Sequence, residues 1–174
     1  YCLWDFLRQL GESSVGGLGR QTQGDSAEQD DASFGNDLDA SGRLPLHRVV
    51  NVAKFYAHLV SQQALGLGIL KPVNFAKLKS QSQIFLQMLF IHLFLPRQAK
   101  QREDFDHLIT TFSKVSAHSA VLAQGILFFL HAYVRNSSLT KDGHEKQVVK
   151  WGCSIAKEVI ESQASASAMQ DFEM

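Results

Sequence analysis

The side chains of this 174-residue chain that could do metal, nucleophilic or acid–base chemistry include seven histidines and two cysteines. Metal sites need His, Cys or carboxylates at clustered spacings, but His47, His58, His92, His107, His118, His131 and His144 are strung out one per segment, with no pair at i, i+4. Asp104 and His107 stand at i, i+3, a spacing that a hydrogen bond on a helix surface explains without a metal. Cys2 and Cys153 lie far apart among apolar neighbours, and neither is flanked by the His or Arg that would lower a thiol pKa. Both are expected to be buried thiols rather than nucleophiles or the ends of a disulfide framework.

Phosphate chemistry needs glycines between a strand and a helix, so that bare backbone amides face the anion. Gly16, Gly17 and Gly19 follow no strand pattern, and Gly66 and Gly68 fall inside a helical stretch. Linker and close packing account for them. The aromatic series Phe85, Phe90, Phe94, Phe105, Phe112, Phe128 and Phe129 has helical spacing and is assigned to the core. Arg48, Lys54, Lys77, Lys79, Arg97, Lys100 and Arg102 are either a recognition surface or a solvated face. The segments 71–80 and 96–104 are loops, where binding function concentrates. The expectation is therefore no catalytic residue, no metal ligand and no cofactor-binding residue, with the partner-binding residues left open.

Composition bounds what can position such residues. With 45% apolar and 20% charged residues, the chain can build one ordinary core. Its zero formal charge hides an asymmetry. Glu12, Asp25, Glu28, Asp30, Asp31, Asp37 and Asp39 crowd one stretch, whereas residues 43–162 carry 15 basic and 7 acidic side chains. Such a surplus suits an acidic partner or an RNA backbone, although no run of five Lys/Arg forms a nucleic-acid patch. The apolar runs Ile84–Leu95 and Ala120–Val134 are too short to span a bilayer and contain Gln87, His92, Gln124 and His131. Tyr1 opens the chain without a Met or a charged n-region, which suggests a piece of a longer protein without a secretory signal.

Leu3, Phe6, Leu7 and Leu10 share one helical face that Gly11 can terminate. Residues 1–11 are expected to end an incomplete preceding helical layer, leaving that face open. The Gly, Ser, Asp and Gln of 12–42 predict an acidic disordered insert. A body over 43–162 follows. Its expected helices are one to about Gln62 after Pro45, a short one over Ala64–Leu70, and a central one N-capped by Ser80 and ended by Pro96. Next come a helix carrying Phe105, Leu108, Ile109 and Phe112, then Ala117–Arg135, then about His144–Glu161. Residues 163–174 read as a flexible tail. No strand-like alternation occurs, so the fold class is all-α, with antiparallel helical hairpins stacked as a HEAT-like solenoid or small bundle.

The runs Trp4-Asp5-Phe6-Leu7-Arg8, Gly11-Glu12, Val52-Ala53-Lys54-Phe55-Tyr56-Ala57-His58-Leu59-Val60, Leu70-Lys71-Pro72-Val73-Asn74-Phe75 and Phe85-Leu86-Gln87-Met88-Leu89-Phe90 carry a resemblance. Together they resemble the MA-three domain, in particular that of the nucleolar suppressor of glycerol defect family. It covers most of Tyr1–Leu95 outside the insert and fades towards the C-terminus. The resemblance implies a non-catalytic scaffold, preceded by a domain like the middle of initiation factor four G, that engages an eIF-four-A-like DEAD-box RNA helicase in pre-rRNA processing. Direct RNA binding by the basic body, with pre-rRNA as ligand, is the alternative. No membrane and no small-molecule substrate are implied. Earlier helices of the domain are absent, and the insert lengthens a connection. The matching motifs are apolar faces, so no helicase-contacting residue is carried over.

Overall fold

The structure, a computed structural model, describes residues 3–12, 15, 43–95, 106–141 and 143–170. These residues form α1 (Leu3–Gln9), α2 (Leu46–Ser61), a 3-10 turn (Leu67–Leu70), α3 (Ser80–Phe94), α4 (Asp106–His118), α5 (Ala120–Phe129), a π-helical turn (Leu130–Val134) and α6 (Gly143–Gln170). The fold is all-α, with helices packed in antiparallel pairs and no strand among the described residues. α3 lies along α2 and α4 along α6, and α6 also returns to α3. The chain thus closes on itself rather than touching only its sequence neighbours.

The core follows from the apolar spacing. α3 is apolar almost all round and buries Phe85, Leu86, Leu89, Phe90, Ile91, Leu93 and Phe94, which makes it the central helix as expected. A relay of rings runs through it. Phe112 meets Phe94 at 6.0 Å, Phe94 meets Phe90 at 6.4 Å, Phe90 meets Phe129 at 6.0 Å, and Phe129 meets Phe75 at 5.8 Å. Each buried ring contributes about 1.5–3 kcal/mol from area alone. The helices beside this relay must come close, which explains two glycines. A Cβ at Gly152 would stand 2.6 Å from Phe94 Cγ, and one at Gly125 would stand 2.6 Å from Phe75 Cδ2.

Several boundaries differ from the sequence expectation, each for a local reason. Gln63 adopts φ +57 and closes α2, and Gly66 is extended, so only Leu67–Leu70 of the expected Ala64–Leu70 helix forms, as a 3-10 turn. The left-handed Gln63 is held by its own amide, which donates to Thr111 Oγ1 at 2.7 Å and accepts from Lys114 Nζ at 3.0 Å. Lys79, not Ser80, occupies the N-cap of α3. The most apolar helix starts at Ala120, because Ser119 is extended and its Oγ accepts from the Leu122 amide. α6 continues past Glu161 to Gln170. Alanine is the strongest helix former and carries the helix on, while Ser162 and Ser165 are accommodated by donating their hydroxyls to the Val159 and Glu161 carbonyls.

The apolar face of α1 is covered, contrary to expectation. Leu3, Phe6, Leu7 and Leu10 are all buried, with the Phe6 ring 5.3 Å from that of Phe85. Gly11, at φ +99, ends the helix as expected, and the Glu12 amide reaches back to the Leu7 carbonyl at 3.0 Å. Most of the 12–42 stretch lies outside the described residues, but Glu12 and Val15 are buried parts of the body.

Candidate partner-binding surface

Among the described residues no group of three or more His, Cys, Asp or Glu could hold a metal ion. Cys2, Gly16, Gly17, Gly19, Arg97, Lys100, Arg102, Asp104 and Phe105 lie outside the described residues. Gly66 caps the 3-10 turn and Gly68 lies within it, with no strand beside either. Cys153 is a buried free thiol whose pKa burial pushes up to about 12, the opposite of what a nucleophile needs. The partly buried His92 has its pKa lowered by desolvation and then by Lys54. Glu145 opposes that shift, and Lys141 adds to it. Its Nε2 finds no hydrogen-bond partner among the described residues.

The tryptophan-containing motif near the N-terminus is a structural clamp. Trp4 Nε1 donates to the Ile69 carbonyl at 2.8 Å, and Arg8 Nε donates to the Val15 carbonyl at 2.9 Å. The Glu12 carboxylate accepts from the Lys79 amide at 2.7 Å. Lys79 provides no side-chain cap of its own, so Glu12 supplies from afar the acceptor and negative charge that the N-terminus of α3 favours. In the 71–80 segment, Asn74 Oδ1 accepts from the Ala76 amide and Phe75 packs inward against Phe129. Gln81 then ties α3 to the Leu44 carbonyl at 2.7 Å. These contacts hold the body together.

The surface that stands out lies between α5 and α6. Leu127, Phe128, Leu130, His131, Arg135, Cys153, Lys157 and Glu161 line a groove of about 300 Å³. Its floor is apolar, from Leu130 and Cys153. Its rim is charged and its outer lip is Phe128, which is 49% exposed. The sequence assigned Phe128 to the core together with Phe129. Consecutive helical residues point about 100° apart, so only one of the pair can face fully inward. Phe129 takes the core position. The π-helical turn, closed by the Arg135 amide on the Leu130 carbonyl at 2.9 Å, delivers His131 and Arg135 to the groove. Such wide turns are frequent at functional sites.

The chain is 29% identical over 162 residues, 93% of its length, to suppressor of glycerol defect protein 1 of Schizosaccharomyces pombe. This is distant homology along nearly the whole chain, including the C-terminal half where the quoted motifs fade. The aligned region is 17% of that relative's length. No protein-family model matches the chain, and no solved structure matches it. No helix of the described residues is long and apolar enough to cross a membrane.

Proposed function

We propose that the chain is an MA-three-type helical module, without catalytic activity or cofactor. Its role is to bind an eIF-four-A-like DEAD-box RNA helicase during pre-rRNA processing for the small ribosomal subunit, in the nucleolus. The observation that carries this reading is the alignment to suppressor of glycerol defect protein 1 over 93% of the chain. The paired-helix fold is of the kind that such modules use. Function has to be argued from a site, and the exposed groove between α5 and α6 offers a surface suited to protein contact rather than a constellation for chemistry. Pull-down between the purified chain and the helicase after nuclease treatment should retain the helicase. Complete loss on nuclease treatment would reject direct protein contact.

A second reading, direct binding of pre-rRNA, is favoured by the surplus of basic residues over 43–162. Each phosphate contact releases counterions, so this affinity should fall steeply with salt. A flat salt response would reject it.

A further inference from the structure

We infer that the outward face of α2 binds single-stranded RNA, with Arg48 and Lys54 on phosphates and Phe55 stacked on a base. The inference rests on the RNA-binding reading above and gives it a site.

The basic surplus is not spread evenly over the body. Residues 43–95, which form α2, the 3-10 turn and α3, hold Arg43, Arg48, Lys54, Lys71, Lys77 and Lys79 and not one Asp or Glu. Over 106–170, the span of α4 to α6, six basic side chains meet five acidic ones. The positive field therefore belongs to the layer in which α2 lies along α3. The ion pairs among the described residues, Arg8–Asp5 and Lys157–Glu161, both lie outside that layer. Lys114 Nζ, 3.0 Å from Gln63 Oε1, adds a cation at the C-terminal end of α2. Glu145, whose charge reaches His92 together with that of Lys54, accepts the Lys141 amide at 2.8 Å and so stays with the start of α6.

α2 turns Val49, Ala53, Tyr56, Ala57 and Val60 into the core. At about 100° per residue, the opposite face carries His47, Asn51, Lys54 and His58 within about 60° of arc, with Phe55 and Arg48 on its flank. Phe55 is 57% exposed, and the four polar residues are exposed too. The two cations suit a phosphate chain, and the ring offers a flat apolar surface that any base can cover. The Asn51 amide can both donate to and accept from a base edge, as unpaired bases require. A protein helix would instead need an apolar seam at i, i+3, i+4, i+7. Val52 and Leu59, the neighbours of Phe55 on its core side, are already packed against the core, so this face presents one ring among polar groups.

The test is fluorescence anisotropy of a labelled oligouridylate titrated with the intact chain across a salt series. The variants are Arg48→Ala, Lys54→Ala, Phe55→Leu and, on exposed positions of α6, the double variant Lys146→Ala/Lys150→Ala. Thermal melting confirms that each is folded. Arg48→Ala and Lys54→Ala should each lower the slope of log affinity against log salt by about 0.7, the share of one phosphate contact on a single strand. Phe55→Leu keeps an apolar side chain but removes the ring, and should weaken binding about ten-fold with the slope unchanged. The α6 double variant should match the wild type. No binding by the wild type at any salt would overturn the RNA-binding reading and the inference with it. Binding that survives all three α2 substitutions, or is lost in the α6 variant alone, would keep that reading and overturn the placement on α2. Binding of polyglutamate, lost in Lys54→Ala, with none of oligouridylate would replace RNA with an acidic protein segment.

Discussion

Replacing Gly152 by alanine tests the packing in a way that separates it from helix propensity. In a helix interior alanine is favoured over glycine by about 1 kcal/mol, so propensity alone predicts stabilisation. The structure predicts the reverse. The new Cβ would stand 2.6 Å from both Cγ and Cδ1 of Phe94 and 3.0 Å from its Cβ. Two of these atoms sit at the base of the side chain, where rotation about χ2 cannot move them away. Phe94 also cannot retreat freely, because its ring is packed against Phe112 and Phe90. Overpacking of this kind costs about 1–3 kcal/mol and here lies towards the upper end, leaving a net loss of about 1–2 kcal/mol after the propensity gain. For a chain of this size that is roughly 2–4 °C in Tm per kcal/mol, measurable by circular dichroism in thermal or urea unfolding. Gly143→Ala is the control, since a Cβ there meets nothing within 4 Å, and it should be neutral or slightly stabilising. Adding Phe94→Leu should make the Gly152→Ala cost smaller through coupling between touching sites. A Gly152→Ala protein as stable as the parent would refute the closeness of α3 and α6 on which the fold depends.

Three further outcomes follow from the same geometry. Glu12→Ala should lower stability by about 1–3 kcal/mol in urea unfolding, because the Lys79 amide at the start of α3 loses its charged acceptor. The Cys153 thiol, raised to about 12 in the folded state, should react with an aromatic disulfide reagent far more slowly than in urea. Since its folded pKa exceeds the unfolded value, its contribution to stability is present below pH 9.0 and is lost as pH rises towards 12, and Cys153→Ala should flatten that loss. His92 has the opposite sign. Its folded pKa is depressed, so its contribution is present above the ordinary histidine value and lost as pH falls through the folded one. Acid unfolding should be less steep in His92→Leu, and an unchanged profile would remove His92 from the account.

Periodicity alone exposed the helical class, the central place of α3 and the core role of most aromatics. These depend on local spacing, which one sequence records directly. Gln63 shows what local spacing omits. Its left-handed backbone is sustained by Thr111 and Lys114, residues on a helix the sequence does not place beside it. The same holds for Glu12, which its composition assigned to a solvated acidic stretch and which instead caps a helix distant in sequence. Cover for the face of Leu3, Phe6, Leu7 and Leu10 likewise comes from Phe85 and its neighbours, a tertiary fact. The groove between α5 and α6 was not read from the sequence, which put both Phe128 and Phe129 in the core, although two adjacent residues of a helix cannot both face fully inwards. Neither was Arg135 beside Cys153, since it depends on a π-helical turn that no residue pattern here announces.

The function proposed for the chain is binding of a helicase through its helical surface. Isothermal titration of the intact chain into an eIF-four-A-like nucleolar helicase, without RNA and at two salt concentrations, tests it most directly. Saturable binding at a defined stoichiometry, weakened only modestly by salt, is the predicted result. Absence of heat with the helicase, together with salt-sensitive binding to an rRNA fragment, would contradict the claim and put the RNA reading in its place.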